Sequence, residues 1–519
     1  MLSNVVAHYL DSVTEREFDA PFMALLAAHG FEDIHLLHGP FEFGKDVIAK
    51  RHDDGVTRQY AFQAKAGDLK SAQWREARSQ VDEIRYNGLA HPSFDVTLPR
   101  VAILVCTGRL IGGAAVEAQQ YKQFLAARDE GRFDSWDAQD LSDMLTSTPE
   151  CGLAGGDPGA LLTLIGAIDE QTVTDAALER STRRWVDSDP IALGRASIEC
   201  AVIAHRLRKA GRLDLAAIAA LCLLRAARVA ATTPSDLPAE AVADKARVLF
   251  AEYARTLWND ARRSIDNPDP LAFAEADDSG LAFTTYPVRC SRLIEILGLL
   301  GLLLRDHRPT EAADLVSFLS GFIRTQPGTN RPLSDRWAVS LLAPVLLLAP
   351  THRDLVGRQL ESITRWVADR YDDNPGLALP YATPDDEVLY AIGHPYDGIP
   401  ISDRRESYLA TVILDLAAIL GLAELYNVAL NDLLAAQAWP CLVVADERQA
   451  RYGARDDGLS LHPQIDYLEP YPGPDQPCAP HHAQPASPDP VWDVLALSSL
   501  ARDRHHFGSL RALLQSGQH

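Results

Sequence analysis

Apolar positions in the first 150 residues switch repeatedly between a helical period and a strand period. Phe18, Phe22, Leu25 and Leu26 fall at helical spacing within Glu15–His29, and Gly30 offers a C-cap before a short strand over Ile34–Leu37. The Gly-bearing run His38–Asp46 leads into a second short strand, Val47–Ala49. Asp53-Asp54-Gly55 carries the residues of a tight hairpin turn, so Thr57–Lys65 is expected to return beside Val47–Ala49. Trp74, Ala77, Val81 and Ile84 mark one stripe of a helix over 72–87. Arg100–Cys106 is continuously apolar after its arginine, the pattern of a central strand buried on both faces. A helix over 114–127, a short strand Arg132–Trp136 and an Asp-rich helix start at Asp137–Asp140 complete an α/β domain over 1–150.

The Gly-rich stretch opening at Cys151 reads as a linker over 151–165, and a large all-α domain follows over 166–519. Helical periods run through Ala196–Ala210, Leu213–Ala230, Ala239–Ala261, Cys290–Asp306, Glu311–Thr325, Arg336–Leu348 and Ser407–Leu434. Pairs joined by a short turn, such as the first two across Gly211-Arg212, have the form of helical hairpins that stack in solenoids, although no fixed repeat is present. Two Pro-rich irregular stretches, 373–403 and 462–490, interrupt them.

Composition narrows the class. The 519 residues are 47% hydrophobic and 23% charged, a globular mix, and the net charge of −22 argues against coating a polyanion with the whole surface. A local basic groove remains compatible with that charge. Seven cysteines lie far apart without a CxxC pair, which argues against a disulfide framework or structural zinc and suits a reducing cytoplasm. No signal peptide is evident, and the longest apolar runs fall short of the roughly 20 residues of a spanning helix, so no membrane is expected as partner. Lysine is rare: five of the seven (Lys45, Lys50, Lys65, Lys70, Lys122) lie in the first quarter of the chain.

Candidate chemistry follows from the hairpin. Asp46 opens one strand, while Gln63 and Lys65, two apart on the other, face the same way. The turn brings a carboxylate, an amide oxygen and an ammonium around one small volume. A hard divalent cation, Mg²⁺ or Mn²⁺, needs oxygen ligands, which Asp46, the Gln63 side chain and the Ala64 carbonyl can supply. Lys65 is then placed to position attacking water and to stabilise charge on a phosphoryl group. The run Gly39–Lys45 has the spacing of a phosphate-binding P-loop, but Asp46 replaces the required Ser or Thr and a strand follows, so that reading fails. Cys478, His481 and His482 cluster in a Pro-rich stretch without a second zinc-like group.

Gly44-Lys45-Asp46 followed by Gln63-Ala64-Lys65, with an acid in the preceding helix, resembles the PD-(D/E)xK restriction-endonuclease-like nucleases. The closer likeness is to the Mrr-like branch, in which Gln commonly takes the second acidic position. The resemblance covers about 10–147, extends to Cys106-Thr107-Gly108 and Trp136–Leu141, and excludes the helical remainder. It implies a restriction-endonuclease-like α/β domain with Asp46 as principal metal ligand, Gln63 as second ligand, Lys65 as catalytic lysine and Glu17 as auxiliary acid. Gln80 is a further auxiliary candidate on the next helix. Lys45, Lys70, Arg75 and Arg78 are candidates for nucleic-acid contact in a segment, 45–85, with nine basic and seven acidic residues.

The expected function is a metal-dependent endonuclease, acting on DNA ahead of RNA, as effector of a bacterial restriction or anti-phage defence system. The helical domain is expected to take a protein partner or ligand as sensor or regulator, in a homo-oligomer. The alternative is a catalytically inactive nucleic-acid-binding or scaffold protein on the same fold, because Gln63 offers the metal one charge fewer than an acid. Ordinary structural readings stand beside each residue: Asp46 as a turn residue, Gln63 and Lys65 as a solvated strand face, and Glu17 as a helix-start acid.

Overall fold

A computed structural model describes residues 1–37, 46–86, 88–89, 91–128, 131–186, 190–231, 237–262, 282–372, 376–378, 384–391, 405–443, 465–467, 489–500, 510 and 514. It contains an α/β domain followed by a large, mostly helical part. The chain divides into two compact units, Met1–Phe250 and Ala251–His519. That division falls well inside the helical part rather than near 150. Residues 151–165, expected as a linker, form a short 3-10 turn and the start of helix Pro158–Asp169, with Leu153 and Leu161 buried. Asp157 caps that helix from the side chain and Pro158 opens it, a start signal that the neighbouring glycines obscure.

In the first unit, strands β1 (Glu32–Leu36), β2 (Val47–Asp53), β3 (Val56–Lys65), β4 (Arg100–Cys106) and β5 (Arg132–Trp136) form one sheet in sequence order. β1, β2 and β3 are antiparallel neighbours, whereas β3, β4 and β5 run parallel. Asp54 and Gly55 turn the β2–β3 hairpin with φ of 52° and 77°. Both values are positive, as a two-residue type I′ turn requires and as Asp-Gly supplies. The turn fixes the register at Val47 opposite Phe62, which sets everything at the far end of the hairpin.

Helices α1 (Leu2–Ser12) and α2 (Glu15–Ala28) precede the sheet, and α3 (Ser71–Tyr86), α4 (Gly113–Arg128) and α5 (Ala138–Ser147) follow its strands. α2 covers one face: Phe22 packs edge-on against Phe62 at 5.4 Å, and Phe31 meets Tyr60 at 4.9 Å. α3 and α4 cover the other, where Trp74, Ala77, Ala118 and Tyr121 pack with Ile48, Ala61, Ala102 and Leu104. β4 is buried along Val101–Cys106, as its unbroken apolar run requires. After α6 (Pro158–Asp169) and α7 (Asp175–Thr182), helices α8 (Pro190–Lys209) and α9 (Leu213–Ala230) pack together as a hairpin, and α8 also packs against α2.

The second unit is built on helices Ala282–Leu304, Pro309–Thr325, Leu342–Asp372, Tyr408–Ile419 and Ala423–Ala435. The single helix expected over Ser407–Leu434 is two, parted at Gly421 with φ of +62°. One stretch, Asp335–Asp372, is long and apolar enough to cross a membrane, but 61% of its apolar window is buried in the structure and its backbone breaks at His352. It reads as a core helix.

Asp335 is fully buried at the start of Tyr408–Ile419, where it accepts Tyr408 N and Leu409 N at 2.9 Å each and Ser407 Oγ at 3.2 Å. Burial pushes its carboxyl up to about 7, against the pull of those three donors. A carboxyl raised in the folded state stabilises most below its ordinary value near 3.8 and loses that contribution as pH climbs through about 7. Denaturant unfolding is therefore expected to show stability falling between about pH 4 and 7, with Asp335→Asn flattening that slope.

Candidate functional site at the open end of the β2–β3 hairpin

The β2–β3 ladder ends where Asp46 N donates to Phe62 O at 2.8 Å. Among the described residues no β2 backbone pairs with Ala64, whose N–H instead donates to the Asp46 carboxylate, with Oδ2 accepting at 2.6 Å. The same oxygen accepts Gln63 Nε2 at 2.6 Å. Period-two alternation places Asp46, Gln63 and Lys65 on the sheet face of Ile48 and Ala61, the face covered by α3 and α4. The expected juxtaposition of Asp46, Gln63 and Ala64 is therefore present in the contacts. Lys65 lies two residues along the same face, half-buried, with no ion pair or hydrogen bond from its ammonium among the described residues.

The Gln63 amide separates its two ends. Nε2 is bound to Asp46 and lies 3.4 Å from Ala64 O, while Oε1 is buried and has no hydrogen-bond partner among the described residues. A buried, unpartnered amide oxygen carries a desolvation cost that a cation or a donor would remove. The oxygens of Asp46, Gln63 and Ala64 are the ligand type a hard divalent cation takes, and Oε1 is the atom of the set that a cation would complete. Among the described residues no group of three His, Cys, Asp or Glu could hold a metal ion. A cation here would be held by one carboxylate and neutral oxygens.

The loop after Lys65 is locked to the loop after Cys106. Thr107 N donates to Lys65 O at 3.0 Å, Thr107 Oγ1 accepts Gly67 N at 2.9 Å, and Cys106 Sγ lies 2.9 Å from Gly67 O. Gly108 touches this turn so closely that a Cβ would fall 2.3 Å from Gly67 C and 2.4 Å from Asp68 N. Both neighbours are backbone and cannot swing away. Gly108→Ala is expected to cost about 1–3 kcal/mol, read as a lower thermal midpoint. Sequence reasoning missed Thr107 as the residue that fixes the turn after Lys65, although its place at the end of an apolar strand was a usable signal.

Glu17 belongs to a different set of contacts. With Thr14 it forms a capping box on α2: Thr14 N donates to Oε2 at 2.9 Å, and Glu17 N to Thr14 Oγ1 at 3.3 Å. Arg208 Nε on α8 donates to Oε1 at 2.9 Å, and His205 Nδ1 lies 3.3 Å from Oε2. These contacts bind the start of α2 to α8. Gln80 is half-buried on α3, and its Oε1 has no hydrogen-bond partner among the described residues. Lys70 is exposed at the start of α3, where its carbonyl accepts Trp74 N at 2.8 Å. Arg75 reaches Glu117 at 3.4 Å and Arg78 reaches Asp82 at 3.9 Å, both from exposed positions. Lys45 and the Cys478, His481, His482 cluster lie outside the described residues.

The six described cysteines are buried, and burial pushes the Cys106 thiol up to about 11 and that of Cys151 up to about 12. Neither supplies a thiolate at neutral pH. The sheet with its flanking helices is a general α/β arrangement compatible with the nuclease architecture the motif implies. No protein-family model, curated protein or solved structure matches the chain.

Proposed function

We propose that this chain is a divalent-metal-dependent nuclease whose reacting centre is the Asp46–Gln63–Ala64–Lys65 corner. The observation that carries the reading is the buried Gln63 Oε1 beside the Asp46 carboxylate, with Lys65 on the same face, both without a hydrogen-bond or ion-pair partner among the described residues. Asp46, Gln63 Oε1 and the Ala64 carbonyl would hold Mg²⁺ or Mn²⁺. Such a cation supplies charge neutralisation at a scissile phosphate. The Lys65 ammonium orients water towards that phosphate and stabilises the negative charge that builds on its oxygens. Gln80, on the helix covering this face, is an auxiliary residue in the proposal, as is Glu17 through its hold on α2. Lys45, Lys70, Arg75 and Arg78 are the accompanying nucleic-acid contacts, and DNA is preferred to RNA as substrate.

In this reading the helical remainder is a sensor or regulatory part that receives a partner or ligand, in an oligomer of this chain in the cytoplasm. Restriction or anti-phage defence is the setting that the Mrr-like resemblance suggests. One observation favours a second reading, a nucleic-acid-binding protein without activity: Asp46 Oδ2 already accepts two donors, and the side chain among them, Gln63, is a neutral amide. Incubating plasmid DNA, and RNA in parallel, with Mg²⁺ or Mn²⁺ separates the two. Cleavage by the wild type that is lost in Asp46→Ala and Lys65→Ala supports the nuclease, and equal cleavage by both variants rejects the site.

A further inference from the structure

The cations of the α/β domain are unevenly partnered. Lys50 is held by Asp33 at 2.7 Å, Lys122 by Asp134 at 2.6 Å, Arg51 by Asp53 at 2.7 Å and Arg85 by Asp82 at 3.2 Å. Lys65, Lys70 and Arg109 have no side-chain ion pair or hydrogen bond among the described residues. In a chain of net charge −22, three such cations, one at the end of β3 and one on each of the two adjoining loops, are a local exception. Arg132 shares the property but starts β5, at the opposite end of the sheet from Lys65 and Cys106.

The loops themselves are braced. Leu69 N donates to Arg109 O at 2.9 Å and Ile111 N to Leu69 O at 3.0 Å, a parallel bridge that sets Arg109 beside the Leu69–Lys70 backbone. Arg109 N donates to Asp68 Oδ1 at 2.9 Å, and the close approach of Gly108 to Gly67 holds the crossing. Lys70 and Arg109 are both exposed on this platform. The N-terminus of α3 begins at the next residue, Ser71, and adds partial positive charge to the same place.

We infer that Arg109, with Lys70, forms a phosphate-binding rim that seats the sugar–phosphate backbone of a nucleic-acid duplex against the Asp46–Gln63–Lys65 corner. This inference rests on the nuclease reading for what the rim serves, but it concerns binding alone. Arg109 is a positioning residue here: its guanidinium grips a phosphate next to the one that reacts, without reading base identity. The chemistry it recognises is the phosphodiester backbone, which DNA and RNA share.

The test measures binding of the full-length chain to fluorescent DNA and RNA duplexes of roughly 20 base pairs, without divalent cation, between about 50 and 200 mM NaCl. Arg109→Ala and Lys70→Ala are each expected to weaken binding about three- to tenfold and to lower the slope of log K against log salt by about 0.9. The double variant should lose about twice that slope, Arg109→Lys should recover most of the affinity, and Arg132→Ala should stay within about twofold of wild type. The duplex showing the larger loss identifies the polymer. Unchanged binding in the double variant, an equal loss in Arg132→Ala, or no binding by the wild type overturns the inference. Asp46→Ala separates it from the nuclease reading: binding with the full salt slope but no cleavage by any form keeps the rim and rejects the hydrolase.

Discussion

Asp46→Asn is expected to lower the rate of DNA cleavage by about a thousandfold or more while the protein stays folded. In the proposed centre Asp46 supplies the charged oxygen among the described residues, and its Oδ2 is also the acceptor that turns Gln63 Nε2 and Ala64 N inward at 2.6 Å each. Asn keeps an oxygen of the same size for those two donors, so strand geometry survives and the loss reports charge. A hard cation held otherwise by a Gln oxygen and a peptide carbonyl would lose the charge that neutralises it. Calorimetric titration with Mn²⁺ gives a readout that does not depend on activity: heat of binding should vanish in Asp46→Asn and weaken in Gln63→Ala. Lys65→Met should behave differently, losing cleavage with Mn²⁺ binding retained, because in the proposed mechanism the ammonium acts on water and phosphate rather than on the cation. Full cleavage by Asp46→Asn would remove this corner from consideration.

The corner was legible in the sequence because local rules fix it. Asp54-Gly55 dictates a two-residue turn, the turn dictates that Val47 faces Phe62, and strand alternation then places Asp46 with Gln63 and Ala64. The apolar run of β4 and the Asp137 start of α5, a capping box with Asp140, were readable for the same reason. Helix α1 was overlooked although Val5, Val6, Tyr9 and Leu10 form its buried face, since its one short stripe has neither a side-chain cap nor a charged turn to mark its ends. The glycines after Cys151 serve close backbone approaches that composition alone does not reveal: a Cβ on Gly152 would meet Thr148 O at 2.6 Å. Contacts made across long separations stayed hidden. The Gly67–Gly108 crossing that presents Arg109 joins two loops, and the partners of Glu17 lie 188 and 191 residues away. No period or spacing encodes such meetings; they are settled by how the helices pack.

Those partners make Glu17→Ala the largest expected loss of stability in the first unit, about 3–5 kcal/mol. Glu17 and His205 are almost fully buried, at 0% and 2% exposure, so a charge removed from Glu17 is not replaced by water. Thr14 N loses its acceptor in the capping box, and Arg208 Nε loses a partner at 2.9 Å. Arg208 retains 28% side-chain exposure and can recover some hydration, which places the cost towards the lower end. For a unit of this size that corresponds to a fall in thermal midpoint of about 6–12 °C. Glu17→Gln keeps an oxygen for Thr14 N while discarding the charge, so it should lie between the two. The paired variants also decide what the acid does for the reaction. A role at the metal requires Glu17→Gln to lose cleavage by more than a hundredfold at temperatures where it is folded. A role in fastening α2 to α8 requires the reverse, a lowered midpoint with cleavage at 20 °C within about threefold of wild type. The ion pair with Arg208 supplies the control: Arg208→Ala should reproduce the loss of stability, and combining it with Glu17→Ala should cost less than the sum, because each single change leaves the other charge behind.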